Sequence, residues 1–143
     1  MSTEENKAIV RHYLDEVWNK GNVSIIDEVM APTYARYMNA SGAYLDRERQ
    51  KQRISGIRKA FSELALTLED ITAEGEKVTI RVTLHGTHTG NFMGVPATGK
   101  QIAIEAIDIL RLVDSKVVEH WGVMDTFGLM QQLGVIPAPG QAS

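Results

Sequence analysis

The chain has 143 residues, a length that suits one domain with its own hydrophobic core. Its hydrophobic fraction of 43% is ordinary for a globular protein, and its formal net charge of −3 shows no basic excess that would favour nucleic acid. The absence of cysteine excludes disulfides, thiolate metal sites and cysteine nucleophiles. Because no apolar run reaches membrane-spanning length and residues 1–20 are too charged for a signal peptide, we expect a cytoplasmic protein that binds neither nucleic acid nor membrane.

The first segment is predicted to be an amphipathic helix that begins after Ser2. Ser2 and Glu5 fit a capping box, in which each side chain bonds the backbone N–H of the other. Apolar residues then recur at helical spacing, namely Ile9, Val10, Tyr13, Leu14, Val17 and Trp18. Gly21 follows the last of them and indicates the end of the helix.

A shorter helix, a short strand and a third helix are predicted next. The segment from Ser24 to Met30 is apolar at helical spacing, and residues 34–39 are typical of a short strand. Asp46 is in position to cap the third helix. One stripe of that helix is predicted to carry Ile54, Ile57, Phe61 and Leu64.

Beyond residue 65 the apolar period changes from helical to alternating. Strands are predicted from Leu66 to Ala73, from Val78 toward Phe92, and on both sides of Asp114-Ser115, with turns at Gly75 and at residues 94–99. The order of elements predicts an α+β fold, with three N-terminal helices packed on one face of a curved antiparallel sheet. One domain is expected over residues 1–136, followed by a flexible tail at 137–143.

The register of the last hairpin decides which side chains share the inner face of the sheet. A two-residue loop would place Val113 opposite Lys116, whereas a bulged three-residue loop would place Leu112 there. Because serine resists positive φ, the Asp114-Ser115 pair favours the three-residue loop. That register pairs His120 with Asp108, Gly122 with Ala106 and Met124 with Ile104.

Asp108 and His120 are ionisable groups among apolar neighbours, and the predicted register brings them together inside the fold. As a functional pair, the carboxylate would hold the imidazole tautomer and raise the pKa of His120, making a general base. Alternatively, the two form a buried polar pair that only fixes the strand register. The sequence leaves both interpretations open.

Asp125 also has two interpretations. It precedes Thr126-Phe127-Gly128, so it can cap a final turn of helix, or it can reach the pocket mouth as an acid or base in reserve. In the predicted register it lies on the face of Trp121, away from Asp108, which favours capping. No pair of histidines has metal-ligand spacing, so no metal site is predicted.

Aromatic residues, methionines and the inward positions of the first helix and last hairpin are expected to line a pocket for a small hydrophobic molecule. These are Tyr13, Val17, Trp18, Tyr34, Met38, Phe61, Phe92, Ala106, Leu110, Gly122 and Met124. For any single member, ordinary core packing is the alternative.

Nearly the whole chain resembles the SnoaL-like polyketide cyclases, which belong to the NTF2-like superfamily of cone-shaped α+β barrels. The matching motifs are Ile9-Val10-Arg11, Asn19-Lys20-Gly21, Tyr34, Gly86-Thr87-His88-Thr89-Gly90, Gly94-Val95-Pro96-Ala97-Thr98-Gly99-Lys100, Arg111, Val118-Glu119-His120 and Gln132-Leu133-Gly134. The resemblance implies closure of a ring by intramolecular aldol condensation of an aromatic polyketide ester, with an acid/base carboxylate and no cofactor or metal. It also implies a homodimer or higher homo-oligomer that pairs through the back of the sheet.

The same resemblance implies where the cyclases' functional residues fall in this chain. The catalytic Asp position is occupied by Gly122, the pocket His position by Asp108 and the pocket Gln position by Ala106, while a pocket Asn falls near Arg36 and His120 is retained. Arg36 therefore joins the predicted pocket residues.

Two classes of function remain open from the sequence. The first is a cofactor-free acid/base enzyme acting on a small hydrophobic carbonyl or ester compound, with epoxide hydrolysis as a variant. The second is a non-catalytic domain that binds a small molecule.

Overall fold

The computed structural model describes residues 2–137 and 140. The helices are α1 (Thr3–Tyr13), which continues as a π-helical segment (Leu14–Asn19), α2 (Ile26–Val29) after a 3₁₀ turn (Val23–Ile25), α3 (Arg47–Ala60) and α4 (Thr126–Gln132). The strands are β1 (Met30–Tyr37), β2 (Tyr44–Leu45), β3 (Phe61–Glu74), β4 (Lys77–His88), β5 (Gln101–Val113) and β6 (Lys116–Met124). The predicted α+β class is confirmed, and the three N-terminal helices precede the meander of strands β3 to β6. The predicted tail at 137–143 lies outside the described residues except for Pro137 and Gly140.

Capping by polar side chains starts both long helices where the sequence predicts. At α1 the Ser2 hydroxyl accepts from the Glu5 amide at 3.0 Å, and the Glu5 carboxylate accepts from the Ser2 amide at 3.4 Å. At α3 the Asp46 carboxylate accepts from the Arg49 amide at 2.9 Å. These bonds satisfy amide groups that the first helical turn leaves free.

The third helix is shorter than its apolar stripe suggests. Phe61 and Leu64 belong to β3, because the backbone of Phe61 is extended and pairs with His88 of β4. A bulge at Glu63, where φ is +55°, then interrupts the pairing of β3 with β4 between Ser62 and Ala65. Pairing with a distant strand overrides the local helical period here.

The six strands form one sheet in the order β2-β1-β6-β5-β4-β3. Strands β3 to β6 make the predicted antiparallel meander, and β1 adds one parallel pairing, with β6, that the sequence analysis did not predict. A parallel neighbour is possible because a long stretch of chain separates these two strands. The sheet ends at β2 and β3 and stays open, so the strands curve without closing the expected cone. Helices α1 and α3 pack against its inner face.

The hairpin between β5 and β6 differs from the predicted register. Its loop has two residues, Asp114 and Ser115, both at positive φ, and Val113 pairs with Lys116. The prediction of a three-residue loop was wrong. A two-residue loop with both residues at positive φ matches the right-handed twist of the strands, and this gain outweighs the cost of positive φ at serine.

A bulge two residues into β6 returns the side chain of His120 to the inner face of the sheet, where it was predicted. Leu112 pairs with Val117 and Arg111 pairs with Glu119, so Val118 is the extra residue. Without it, His120 would point outward, because side chains alternate along a strand. The partners are shifted by two residues from the prediction: His120 faces Leu110, Gly122 faces Asp108 and Met124 faces Ala106.

The outer face of the sheet combines ion pairs with exposed apolar side chains. Arg81 pairs with Asp70 at 2.7 Å and Arg111 with Glu119 at 2.5 Å. The large apolar residues exposed beside them are Ile107, Ile109 and Val123. Pairing of two chains through this face stays a prediction. Within the described residues no helix combines the length and the apolar character needed to span a membrane.

Candidate active site

Three side chains from three neighbouring strands form a hydrogen-bonded chain on the inner face of the sheet. His120 Nε2 lies 2.6 Å from Asp108 Oδ2, and His120 Nδ1 lies 2.8 Å from the Tyr34 hydroxyl. Tyr34 and His120 are buried, whereas the Asp108 side chain keeps 16% of its surface exposed. The order β1-β6-β5 in the sheet creates this alignment.

The electrostatic surroundings of Asp108 favour its charged form. Burial opposes ionisation, but the hydrogen bond and charge of His120, together with the positive charges of Arg36 and Arg53, lower the pKa of Asp108 below its ordinary value. An Arg36 terminal nitrogen lies 4.0 Å from Asp108 Oδ2. Asp108 is therefore ionised at neutral pH.

The imidazole of His120 is uncharged at the same pH. Burial lowers the pKa of His120, and the positive charges of Arg36 and Arg53 lower it further, while the hydrogen bond and charge of Asp108 only partly oppose this effect. The carboxylate of Asp108 raises the pKa of His120 as predicted, but the net shift is downward, because the prediction left out desolvation and the two arginines.

These charge states fix the direction of each hydrogen bond. An ionised carboxylate only accepts, so His120 carries its proton on Nε2 and donates it to Asp108. Nδ1 then accepts from Tyr34, whose pKa burial raises well above its ordinary value. Both ring nitrogens of His120 are thus engaged, and the atom left to accept a proton is Asp108 Oδ1, which makes no hydrogen bond within the described chain.

Gly122 faces Asp108 and leaves room for the carboxylate. A β-carbon at position 122 would lie 2.5 Å from Asp108 Oδ1 and 2.6 Å from an Arg36 terminal nitrogen. Both distances are far below a van der Waals contact. The site therefore accommodates Asp108 and Arg36 only because residue 122 has no side chain.

A narrow cavity of about 30 Å³ opens between the sheet and helices α1 and α3. Its volume suits roughly one or two water molecules, so a larger ligand requires the lining to move outward. The walls are mainly apolar, and the polar groups of Asp108, His120 and Arg36 reach it. The full lining comprises Tyr13, Leu14, Trp18, Arg36, Gln50, Arg53, Leu66, Ile80, Val82, Leu84, Ala106, Asp108, His120 and Met124.

The structure brings about half of the predicted site residues to this cavity. Seven of the predicted positions line it directly, namely Tyr13, Trp18, Arg36, Ala106, Asp108, His120 and Met124. Tyr34, Val17 and Leu110 are buried in the core and do not line the cavity. Gly122 lies beneath the Asp108 carboxylate.

Four predicted residues lie elsewhere. Phe61 packs against Phe92 at a centroid distance of 5.1 Å and against His88 at 5.3 Å, in a separate aromatic cluster. Met38 is 39% exposed, just beyond the end of β1. Asp125 accepts from the Gly128 amide at 2.9 Å, which confirms its capping role at α4. None of the four lines the cavity, although the Met38 sulfur accepts a bond at 3.3 Å from Arg36, which does.

Two polar lining residues were missed by the sequence analysis. Gln50 and Arg53 lie on α3, at helical spacing from Ile54 and Ile57 of the predicted stripe. Counting back from that stripe would have placed both on the inner face. Within residues 2–137 and 140, no group of three His, Asp or Glu side chains is arranged to hold a metal ion.

Comparison with known proteins identifies relatives of this chain and its fold. The family model described as SnoaL-like polyketide cyclase matches residues 8–133. The nogalonic acid methyl ester cyclase of Streptomyces nogalater is 30% identical over 120 residues, which cover 82% of this chain and 89% of that protein. The aklanonic acid methyl ester cyclase DnrD of Streptomyces peucetius is 40% identical over 83 residues. That match spans 57% of this chain and 57% of DnrD, and a similar match spans 51% of DauD from Streptomyces sp. strain C5.

Solved structures share the fold over almost the whole chain. AclR of Streptomyces galilaeus, a candidate hydroxylase, has a TM-score of 0.85 and 34% identity, covering 95% of this chain and all of AclR. TsrD of Streptomyces laurentii has a TM-score of 0.85 and 29% identity, covering 95% of this chain and 99% of TsrD. With the family model matching most of its length, this chain belongs to the SnoaL-like polyketide cyclase family.

Proposed function

We propose that this protein is a cofactor-free acid/base enzyme, similar to the ester cyclases, that acts on a hydrophobic carbonyl or ester compound. The observation that carries the proposal is the ionised carboxylate of Asp108, which lines a mainly apolar cavity with Oδ1 free of hydrogen bonds. His120, itself held by a hydrogen bond from Tyr34, donates to the other oxygen of that carboxylate, Oδ2. Such a preorganised base suits abstraction of a proton beside a carbonyl group.

In the proposed reaction, Asp108 Oδ1 takes the α-proton of the substrate and the C–H electron pair moves to the carbonyl oxygen as an enolate. The enolate carbon attacks a second carbonyl carbon of the same molecule, which forms the ring bond and leaves an alkoxide. The alkoxide then recovers the proton from Asp108. Atoms and charge balance over the cycle, and no redox partner is consumed.

The lowered pKa of Asp108 also limits which proton it can remove. A weak base transfers protons efficiently only from a carbon acid that is itself fairly acidic. The substrate class that meets this demand has a CH group activated by two carbonyl groups, as in a β-keto ester. The methyl ester cyclases among the relatives support this choice by the names of their reactions.

His120 is a positioning residue in this scheme, because both of its ring nitrogens are bonded within the protein. Asp108 is the residue proposed to touch the reacting atoms. Asp125 takes no part, since its carboxylate is exposed and caps α4.

Epoxide hydrolysis is less well supported. It would need a second carboxylate beside the pair of Asp108 and Arg36, and Asp108 is the one acidic residue of the described chain that lines the cavity. Two other functions are binding without catalysis and hydroxylation, the activity suggested for AclR. The assay below distinguishes both from cyclisation.

The test compares the parent with Asp108→Asn and with Glu105→Gln, a matched control on the exposed side of the same strand. Nogalonic acid and aklanonic acid methyl esters serve as substrates, with smaller β-keto esters, ketones and epoxides as a panel. Because general base catalysis contributes roughly 10²- to 10⁴-fold, Asp108→Asn should lower kcat by that factor while Glu105→Gln leaves it unchanged.

Mass spectrometry of the products identifies the reaction. Cyclisation leaves the substrate mass unchanged, whereas hydroxylation adds one oxygen atom. The proposal fails if the parent turns over no compound of the panel, which would leave a binding protein, or if Asp108→Asn retains full turnover.

A further inference from the structure

The cavity has an excess of positive charge that the proposed base does not balance. The charged side chains that line it are Arg36, Arg53 and Asp108. His120 is uncharged for the reasons given above. Two cations and one anion leave a net charge of +1 in a mainly apolar space, where an unpaired charge is costly.

The excess charge is concentrated at Arg53. Arg36 lies 4.0 Å from Asp108 and donates to the Tyr37 carbonyl at 3.3 Å. Arg53, by contrast, is partly buried and makes no hydrogen bond or ion pair with any residue in the described part of the chain. Its guanidinium therefore has donors available to a ligand in the cavity.

Gln50 lies one helical turn from Arg53 on the same face of α3 and also lines the cavity. It is fully buried, yet neither its amide oxygen nor its amide nitrogen has a hydrogen-bond partner in the described chain. The Tyr13 hydroxyl accepts a bond from Trp18 at 3.2 Å, and it lies near enough to the Gln50 amide to influence the pKa of Tyr13, but outside the geometry of a full hydrogen bond. Buried amides without partners are rare in proteins, and a ligand that accepts a hydrogen bond would satisfy the NH₂ group of this one.

We propose that Arg53 and Gln50 form a subsite that binds an anionic oxygen group of the substrate. This inference rests on the proposed function and narrows its substrate class to compounds that carry such a group beside the reacting carbonyl. The guanidinium supplies the charge, and the amide NH₂ of Gln50 supplies a second donor. Asp108 stands across the cavity, on β5, with its free oxygen available to the adjacent carbon.

Two kinds of compound provide this chemistry: a free carboxylic acid, and an ionised enol of a 1,3-dicarbonyl. Two pairs of small probes separate them. Benzoate is compared with methyl benzoate, and 1,3-cyclohexanedione, an acidic enol, with its neutral methyl enol ether. Within each pair the molecules are similar in shape and differ in charge, so the ratio of their dissociation constants reports the subsite.

Binding is followed through the fluorescence of Trp18, which lines the cavity. The chain has two tryptophans, and Trp121 lies on the outer face beside Tyr37, so a Trp121→Phe background leaves one reporter. In this background the anion of at least one pair should bind about tenfold more tightly than its neutral partner, as expected for a charge-assisted hydrogen bond.

Arg53→Gln should abolish the preference for the anion without weakening the neutral probe. Arg49→Gln is the matched control, since it removes the same charge from an exposed position of the same helix and should retain the preference. Gln50→Glu places a carboxylate beside Arg53 and should also abolish the preference while keeping the shape. Circular dichroism and thermal unfolding verify that each variant is folded.

The subsite is refuted if neither anion is preferred by the parent, or if the folded Arg53→Gln variant keeps the preference. This outcome is separable from failure of the proposed enzyme. If the protein prefers anions but turns over no substrate, the proposed reaction is wrong and the subsite stands. If turnover depends on Asp108 but the protein shows no preference for anions, the subsite is wrong and the reaction stands.

Discussion

Asp108 and Gly122 face each other across β5 and β6, and the Asp108 carboxylate fills the space that any side chain at position 122 would need. The family resemblance predicts a carboxylate at position 122 in a cyclase. In this chain the neighbouring strand brings a carboxylate to the same place. Position 108 and position 122 therefore cannot both carry an acid beside Arg36.

The first prediction concerns this exclusion. Gly122→Asp alone should lower the free energy of unfolding by about 1–3 kcal/mol, because it forces atoms together and adds a like charge beside Asp108. Combining it with Asp108→Gly removes the clash and moves the carboxylate from β5 to β6. The double variant should regain most of the lost stability and more turnover than Asp108→Gly alone.

Urea unfolding and the ester assay measure both effects. Gly56→Ala is a suitable control, since a β-carbon on this exposed helical glycine meets no atom within 4 Å. Additive effects of the two substitutions would contradict the exclusion, because residues that compete for one space must show coupling.

The second prediction is a loss of stability on acidification. Because burial lowers the pKa of His120 below its ordinary value of 6.5, the unfolded chain binds that proton more readily than the folded protein. Stability from His120 is therefore complete above pH 6.5 and declines as the pH falls toward the lower folded value. Asp108, whose pKa is also lowered, adds a further loss below its ordinary value of 3.8.

The measurement is the free energy of unfolding in urea at pH 7.5 and pH 5.5. The parent should be less stable at pH 5.5, and His120→Gln should reduce this difference because it removes the titrating group. A parent that is equally stable, or more stable, at pH 5.5 would show that the pKa of His120 is not lowered in the folded protein.

The third prediction separates the two roles considered for Asp125. Asp125→Ala removes the side chain that caps α4 and should cost about 0.5–2 kcal/mol of stability, with kcat unchanged. Asp125→Asn keeps a capping oxygen but removes the charge, so it should be close to the parent in both properties. A folded Asp125→Asn variant with a large loss of kcat would restore an acid/base role for Asp125.

Much of the fold could be predicted because local patterns and tertiary packing agree. The caps at Ser2 and Asp46 and the alternation along β4 and β5 occur where the sequence indicates them. The inner position of Asp108 and His120 was also predicted, although by an incorrect loop. The real loop and the bulge at Val118 together shift the strand by two residues, which keeps the residues from Glu119 onward on their predicted faces, while Val117 takes the inner position predicted for Lys116.

The helix boundary at Phe61 and the parallel pairing of β1 could not be predicted in the same way. Both depend on strands that lie far away in the sequence, and no local period records them. The electrostatic state of His120 was missed for a related reason. It depends on burial and on Arg36 and Arg53, which come from other elements.

The sequence by itself determined the helix caps, the alternating strands and the inner position of Asp108, because these follow from spacing along one segment. The inward position of His120 also depends on the bulge at Val118, which the sequence analysis did not predict. Only the tertiary structure decided that Tyr34 completes the hydrogen-bonded chain of Asp108 and His120 and that Arg53 reaches the same cavity. Those contacts arise when β1 pairs with β6 and α3 packs on the sheet. Long-range packing, which no local pattern encodes, thus sets the charge of the site.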